Sequence, residues 1–271
     1  MKNLKEYIKE GLFDDLDKIE KIGGMESNVE LLKKEVIDWI KNNAKSIQEN
    51  KFKFDVNTSP ITVNYDDDIK FREHITSLTN GNFQWGEVSG CFVCAFCDLL
   101  ESLEGAPKKV GWYFSCAYCD SLTSLKGAPE EVGGLFQCNG CGSLESLEGA
   151  PKEVKNFNCN TCPSLTSLKG APKEVSEGFD CSYCESLKSL EGAPKVVKNS
   201  FLCNNCDLLK SLKGVPKKVG YIFNCSNCYE LTSLKDAPKE VGGVFNCFNC
   251  GTRFSENDVK KVSNVKERII C

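Results

Sequence analysis

Sixteen of the 18 cysteines in this 271-residue chain fall into eight Cys-x-x-Cys pairs. The first members are Cys94, Cys116, Cys138, Cys159, Cys181, Cys203, Cys225 and Cys247. Two such pairs can close a tetrahedral zinc site, and one pair can cycle between dithiol and disulfide. The spacing argues against both. Successive pairs lie 22, 22, 21, 22, 22, 22 and 22 residues apart, with no grouping into twos. Two sulfurs on one zinc sit about 3.8 Å apart, closer than the ~4.8 Å between stacked strands. The only histidine is His74. Eight equivalent pairs also offer no single pair with an environment of its own, which redox catalysis needs. The thiols are therefore expected to be small core residues, with metal binding and disulfides as the alternatives. No secretion signal is recognisable, so a reducing, cytoplasmic setting is the expectation.

The elements that hold these cysteines repeat with the same period. In Gly133–Val154, Phe136 precedes Cys138 by two residues, so both side chains leave one face of a short strand. Leu144 and Leu147 follow, and a Gly149-Ala150-Pro151 turn closes on Val154. A fixed period of this length marks a solenoid of stacked coils with short parallel strands. Seven full repeats run from about residue 90 to 241. An eighth begins at Gly242 and loses the pattern after Cys250, where Arg253 replaces the leucine.

Two exposed columns are expected to serve the fold. Ser102, Ser124, Ser146, Ser167, Ser189, Ser211 and Ser233 each sit between two leucines, where a hydroxyl can bond a stranded backbone group. Glu104, Lys126, Glu148, Lys169, Glu191 and Lys213 alternate in sign from coil to coil before Lys235 breaks the series. Such a ladder sets register and solubility.

The flanks read as caps. Leu4, Ile8, Leu12, Leu16 and Ile19 recur at helical spacing, and Gly23-Gly24 ends that helix. Ser27 or Asn28 can start a second helix whose buried face is Leu32, Val36, Trp39, Ile40 and Ile47. Phe52–Val56 and Ile61–Tyr65 alternate around Asn57-Thr58-Ser59-Pro60, a hairpin pattern. Ile75-Thr76-Ser77-Leu78 echoes the repeat, so a degenerate coil is expected from about residue 70. Ser255–Asn257 can cap a last helix through Val259, Val262 and Val265. The expected organisation is a helical region at 1–50, a hairpin and first coil at 51–89, a solenoid at 90–252 and a C-terminal cap at 253–271.

Two resemblances add to this reading. The unit Phe136-x-Cys138-x-x-Cys141-x-x-Leu144-x-Ser146-Leu147 resembles the leucine-rich repeat family, and its bacterial BspA-like variant in particular. It departs from that family in having a Gly-Ala-Pro turn on the convex side and one extra residue before the phenylalanine. The resemblance implies a leucine-rich-repeat-like solenoid that binds proteins on its concave face. Met1-Lys-Asn-Leu-Lys-Glu-Tyr-Ile-Lys-Glu-Gly11 resembles the capsid-targeting leader of internal head proteins in T-even-like phages. That resemblance implies cleavage between Glu10 and Gly11, packaging in a capsid and delivery into a host.

No Ser/His/acid set, phosphate loop or catalytic carboxylate pair is apparent, and no cofactor site is expected. Asp66-Asp67-Asp68 reads as a solvated loop. The net charge of −4 argues against nucleic acid as partner, and no apolar run is long enough to span a membrane. The expected activity is non-catalytic protein binding, with a host factor such as a defence nuclease as target. A structural virion component and a cysteine-rich metal binder are the alternatives. The candidate surface joins Phe96, Trp112, Tyr113 and Tyr118 to Asn139, Asn158 and Asn160, with Tyr183 and Tyr221 continuing it, because aromatics beside amides suit protein interfaces.

Overall fold

The computed structural model describes residues 25–271, which form a parallel β-solenoid. One coil shows how the sequence closes on itself. Phe114, Cys116, Cys119, Leu122, Leu125, Pro129 and Val132 all point inward and are buried. Phe-x-Cys takes the two-residue step of a strand. From Cys116 to Leu125 the step is three residues, with tight turns at 117–118 and 120–121 and another just after Leu125. The Leu122 amide donates to the Cys119 carbonyl (3.1 Å), and the Ala128 amide to that of Leu125 (3.0 Å). Gly127, third in the last of these turns, has φ +86°, the left-handed geometry that type II turns give to glycine. A Cβ there would also come 2.4 Å from the Glu104 backbone of the preceding coil.

Ten parallel rungs form the main ladder, from Ile69–Phe71 to Arg268–Ile270. Phe92, Phe114, Phe136, Phe157, Phe179, Phe201, Phe223 and Phe245 stack inside it with ring centroids 5.0–6.0 Å apart. Each buried ring contributes roughly 1.5–3 kcal/mol through area removed from water.

A second ladder departs from the sequence reading, which placed only a turn after the leucines. Lys109–Val110, Glu174–Val175, Val196–Val197, Lys218–Val219 and Glu240–Val241 are rungs of their own, paired in parallel with their neighbours. Backbone groups flanking a buried valine need partners, and the next coil supplies them. The 21-residue step has a structural counterpart. Two residues lie between Val154 and Phe157, against three between Val132 and Phe136. There Glu131–Gln137 and Glu153–Asn158 run unbroken through both ladders, with a register shift between Val154 and Asn156.

The cysteines hold the corner between strand and turns. In seven coils the thiol of the second cysteine donates to the carbonyl of the first cysteine one coil back. These pairs run from Cys119 to Cys94 through Cys250 to Cys225, at 3.1–3.3 Å. The cause lies one residue on. The amides of Asn160, Ser182, Ser226 and Phe248 turn aside to the side-chain oxygens of Asn158, Asp180, Asn224 and Asn246. In these four coils the carbonyl of the first cysteine one coil back thereby loses the amide that a continuing ladder would provide, and a weak S–H donor replaces it. Burial pushes the Cys184 thiol well up and those of Cys162 and Cys206 up to about 12, so these three donors keep their protons.

The two columns behave as expected in part of the stack. Ser102, Ser189, Ser211 and Ser233 hydroxyls accept from the amides two residues on, at 3.0–3.1 Å. Lys169 meets Glu148 at 2.8 Å and Lys213 meets Glu191 at 2.5 Å, each across one coil.

At the N-terminal end, α1 (Met25–Asn43) seals the stack. Val36 and Ile40 are fully buried, and Trp39 sets its ring edge-on to Phe71 and Phe83. The helix expected over Leu4–Ile19 lies outside the described residues. The hairpin pairs Phe52–Asp55 with Ile61–Tyr65, and its second strand pairs in parallel with Phe83–Val88. That strand is itself the first valine-side rung, so the first coil begins near residue 61 rather than 70.

At the other end, α2 (Glu256–Val262) starts with a capping box between Ser255 and Asp258. The Ser255 hydroxyl and amide, followed by Lys261, hold the Asp258 carboxyl down at about 2. The helix stops at Val262, not Val265. Asn264–Val265 and Arg268–Ile270 then add one more rung to each ladder.

Candidate functional site

Leaving the strand for the three-residue steps requires one abrupt backbone turn, and all eight coils make it at the residue before the second cysteine. Phe96, Tyr118, Gly140, Thr161, Tyr183, Asn205, Asn227 and Asn249 have φ between 55° and 71°. An L residue held there is disfavoured by about 1–2 kcal/mol, least so for Asn, and Gly is free of the penalty. In the last three coils the residue is Asn. Asn227 donates to Asn205 (3.1 Å) and Asn249 to Asn227 (2.9 Å), so the amides form a ladder.

In the first two coils the same position is aromatic. The rings of Phe96 and Tyr118 stack with centroids 4.9 Å apart and planes within 6°. They remain open to solvent, at 56 % and 43 % exposure. The Tyr118 ring spreads over Gly140 of the next coil, where a Cβ would come within 2.4 Å of it. Beside the stack is an open hollow of ≈ 600 Å³ lined by Glu73, His74, Phe96, Asp98 and Leu99. Among the described residues neither Glu73 nor Asp98 takes part in an ion pair.

The other expected surface residues are distributed more widely. Trp112 is 68 % exposed but precedes the strand Tyr113–Ser115, whereas Tyr118 follows it, so the two flank opposite edges of the sheet. Tyr113 is half-buried and its hydroxyl meets the Gln137 side chain. Asn158 is occupied in its local turn, and Asn160 donates to Asp180 (2.9 Å). Asn139 is only 6 % exposed, and its Oδ1 has no hydrogen-bond partner. Tyr183 and Tyr221 are exposed one at a time, Tyr183 on the left-handed column between Thr161 and Asn205. Glu10 and Gly11 lie outside the described residues. Leu99, Tyr229 and Phe248 are exposed large apolar residues absent from the expected set.

The acidic loop ties the first coils together. Asp66 accepts from the Ser89 hydroxyl (2.7 Å), and this bond, with Lys53 nearby, holds its carboxyl below the usual range. Asp68 accepts from the Cys91 amide (2.7 Å). An open groove of ≈ 660 Å³ runs along the valine ladder, where Lys109, Lys152, Lys155, Lys173 and Lys198 outnumber Glu131, Glu153 and Glu174. Among the described residues no group of three or more His, Cys, Asp or Glu side chains is placed to hold a metal ion, and no helix is long and apolar enough to cross a membrane.

Comparison with protein families, with curated proteins and with solved structures found no match. The arrangement at the corner can bind through ring faces, apolar contact and carboxylates.

Proposed function

We propose that this solenoid is a non-catalytic binding protein whose protein partner docks on the Phe96–Tyr118 corner. One observation carries the reading. Two aromatic residues occupy a backbone conformation that Asn or Gly fills at lower cost, and they leave their rings in water. Strain and exposed apolar area held together at one place point to use. The leucine-rich-repeat resemblance favours the same class. Affinity capture from bacterial lysate, read by mass spectrometry, tests it with Phe96→Asn/Tyr118→Asn as control. One dominant protein lost in the variant is expected. A partner retained by the variant moves the site elsewhere.

The finer proposal, a phage protein packaged and delivered to inhibit a host factor, rests on the Met1–Gly11 leader. Protein recovered from purified virions is then expected to begin at Gly11. Virions that lack the protein, or carry it with Met1 intact, remove that proposal. A structural virion component would show the same trimming without a host partner.

A further inference from the structure

We infer that the Phe96–Tyr118 corner recognises a basic segment of its partner, an arginine or lysine side chain packed on the rings beside an apolar neighbour. This deepens the protein-binding reading above and rests on it.

The chemistry at the corner is one-sided. An aromatic face attracts a cation through its quadrupole, more strongly as water is excluded. Phe96 turns one face to Tyr118 and shares its hollow with Glu73 and Asp98, while Asp120 takes the Asp98 position one coil on. Asp120 accepts from the Gly142 amide (3.1 Å), which leaves its charge uncompensated. The basic groups nearby in the fold are Arg72, next to Glu73 in the chain, and Lys45 on the edge strand. His74 is the remaining titratable side chain of the hollow. Leu99, largely exposed at its rim, supplies the apolar contact. A guanidinium or ammonium between two carboxylates and a ring, with an aliphatic neighbour on Leu99, complements Glu73, Asp98, Phe96 and Leu99 together. An acidic segment would meet like charges, and a purely apolar one would leave the carboxylates desolvated.

The molecule carries its own control. Asp207 and Leu208 repeat the Asp98-Leu99 pair, but the corner residue there is Asn205, already bonded into the amide ladder. Carboxylate and leucine recur at that coil without the ring, and Tyr183 carries ring and Glu185 without the leucine, so the Phe96 coil alone combines all three.

The test is selection of a random dodecapeptide library on the full chain, with counter-selection on Phe96→Asn/Tyr118→Asn. Selected peptides are then titrated by fluorescence anisotropy. Asn suits the left-handed backbone, so the double variant is expected to melt at or above the wild-type temperature while losing the peptides. Enriched peptides are expected to pair Arg or Lys with an aliphatic or aromatic residue. They should weaken at least about tenfold on Glu73→Gln/Asp98→Asn, or with added salt, and keep their affinity on Asp207→Asn. Neutral or acidic peptides that still depend on Phe96 and Tyr118 would overturn the charge inference and leave the protein-binding reading standing. A library that enriches nothing over the double variant would remove both.

Discussion

Two columns of stacked aromatic rings run along this molecule. Phe92 to Phe245 stack inside at 5.0–6.0 Å, and Phe96 and Tyr118 stack outside at 4.9 Å. The periodic backbone dictates both spacings, because in-register parallel coils place equivalent side chains one rung apart. What differs is what the backbone asks of the residue. The interior position is extended, suits a large apolar side chain and is phenylalanine in all eight Cys-x-x-Cys coils, with Ile69 and Ile269 at the two ends. The outer position is left-handed, tolerates aromatics poorly and changes identity along the stack. Similar ring spacing therefore carries opposite meanings. Inside it fills volume, and outside it persists against a conformational penalty that the last three coils avoid with Asn205, Asn227 and Asn249.

The sharpest way to break this contrast is to truncate one ring of the inner column. Phe157→Ala is expected to cost about 3–5 kcal/mol and to lower the denaturation midpoint markedly, since stacked coils cannot collapse into the space without losing register. Urea titration followed by circular dichroism measures it. Next in size is the thiol that links the two columns. Cys184→Ala leaves the Cys159 carbonyl without its 3.3 Å donor, and a stranded buried acceptor costs about 1–3 kcal/mol. An unchanged midpoint in the same titration would show that the thiols only fill space. The smallest effect sharpens the outer column. Asn227→Tyr removes two amide contacts and places an aromatic in the left-handed backbone, for a loss of about 1–2 kcal/mol. A neutral result by thermal melting would mean that the corner accepts aromatics freely, and the argument from Phe96 would fail with it.

Much of this architecture could be read from the chain, because the period repeats the same evidence eight times. Phe136-x-Cys138 announces a strand, and the lack of grouping among the cysteine pairs announces a packed core. Three features escaped. The valine ladder was hidden because Lys109–Val110 and its counterparts are two-residue rungs, too short to show alternation. The hairpin strand Ile61–Tyr65 read as a cover for the first coil, since nothing in five residues says that their second edge pairs in parallel. The left-handed corner was masked by Phe96, Tyr118, Thr161 and Tyr183, residue types that argue against such a conformation. The signal lay in the same column, where Gly140 and three asparagines stand at equivalent positions. The expected surface was accordingly drawn as one strip, whereas Trp112 and Tyr118 belong to opposite edges.

The corner thiols also give five of the coils a chemical clock. A buried, protonated sulfur that donates to a backbone carbonyl is inert to alkylating reagents until its own coil opens. Cys119, Cys162, Cys184, Cys206 and Cys228 are sulfurs of this kind, each in a tryptic segment that differs in sequence from the next. Pulse labelling with iodoacetamide followed by peptide mass spectrometry would thus time the opening of individual coils in the unmodified chain. It would show whether the stack frays from its ends or parts at the 21-residue step, without a single engineered probe.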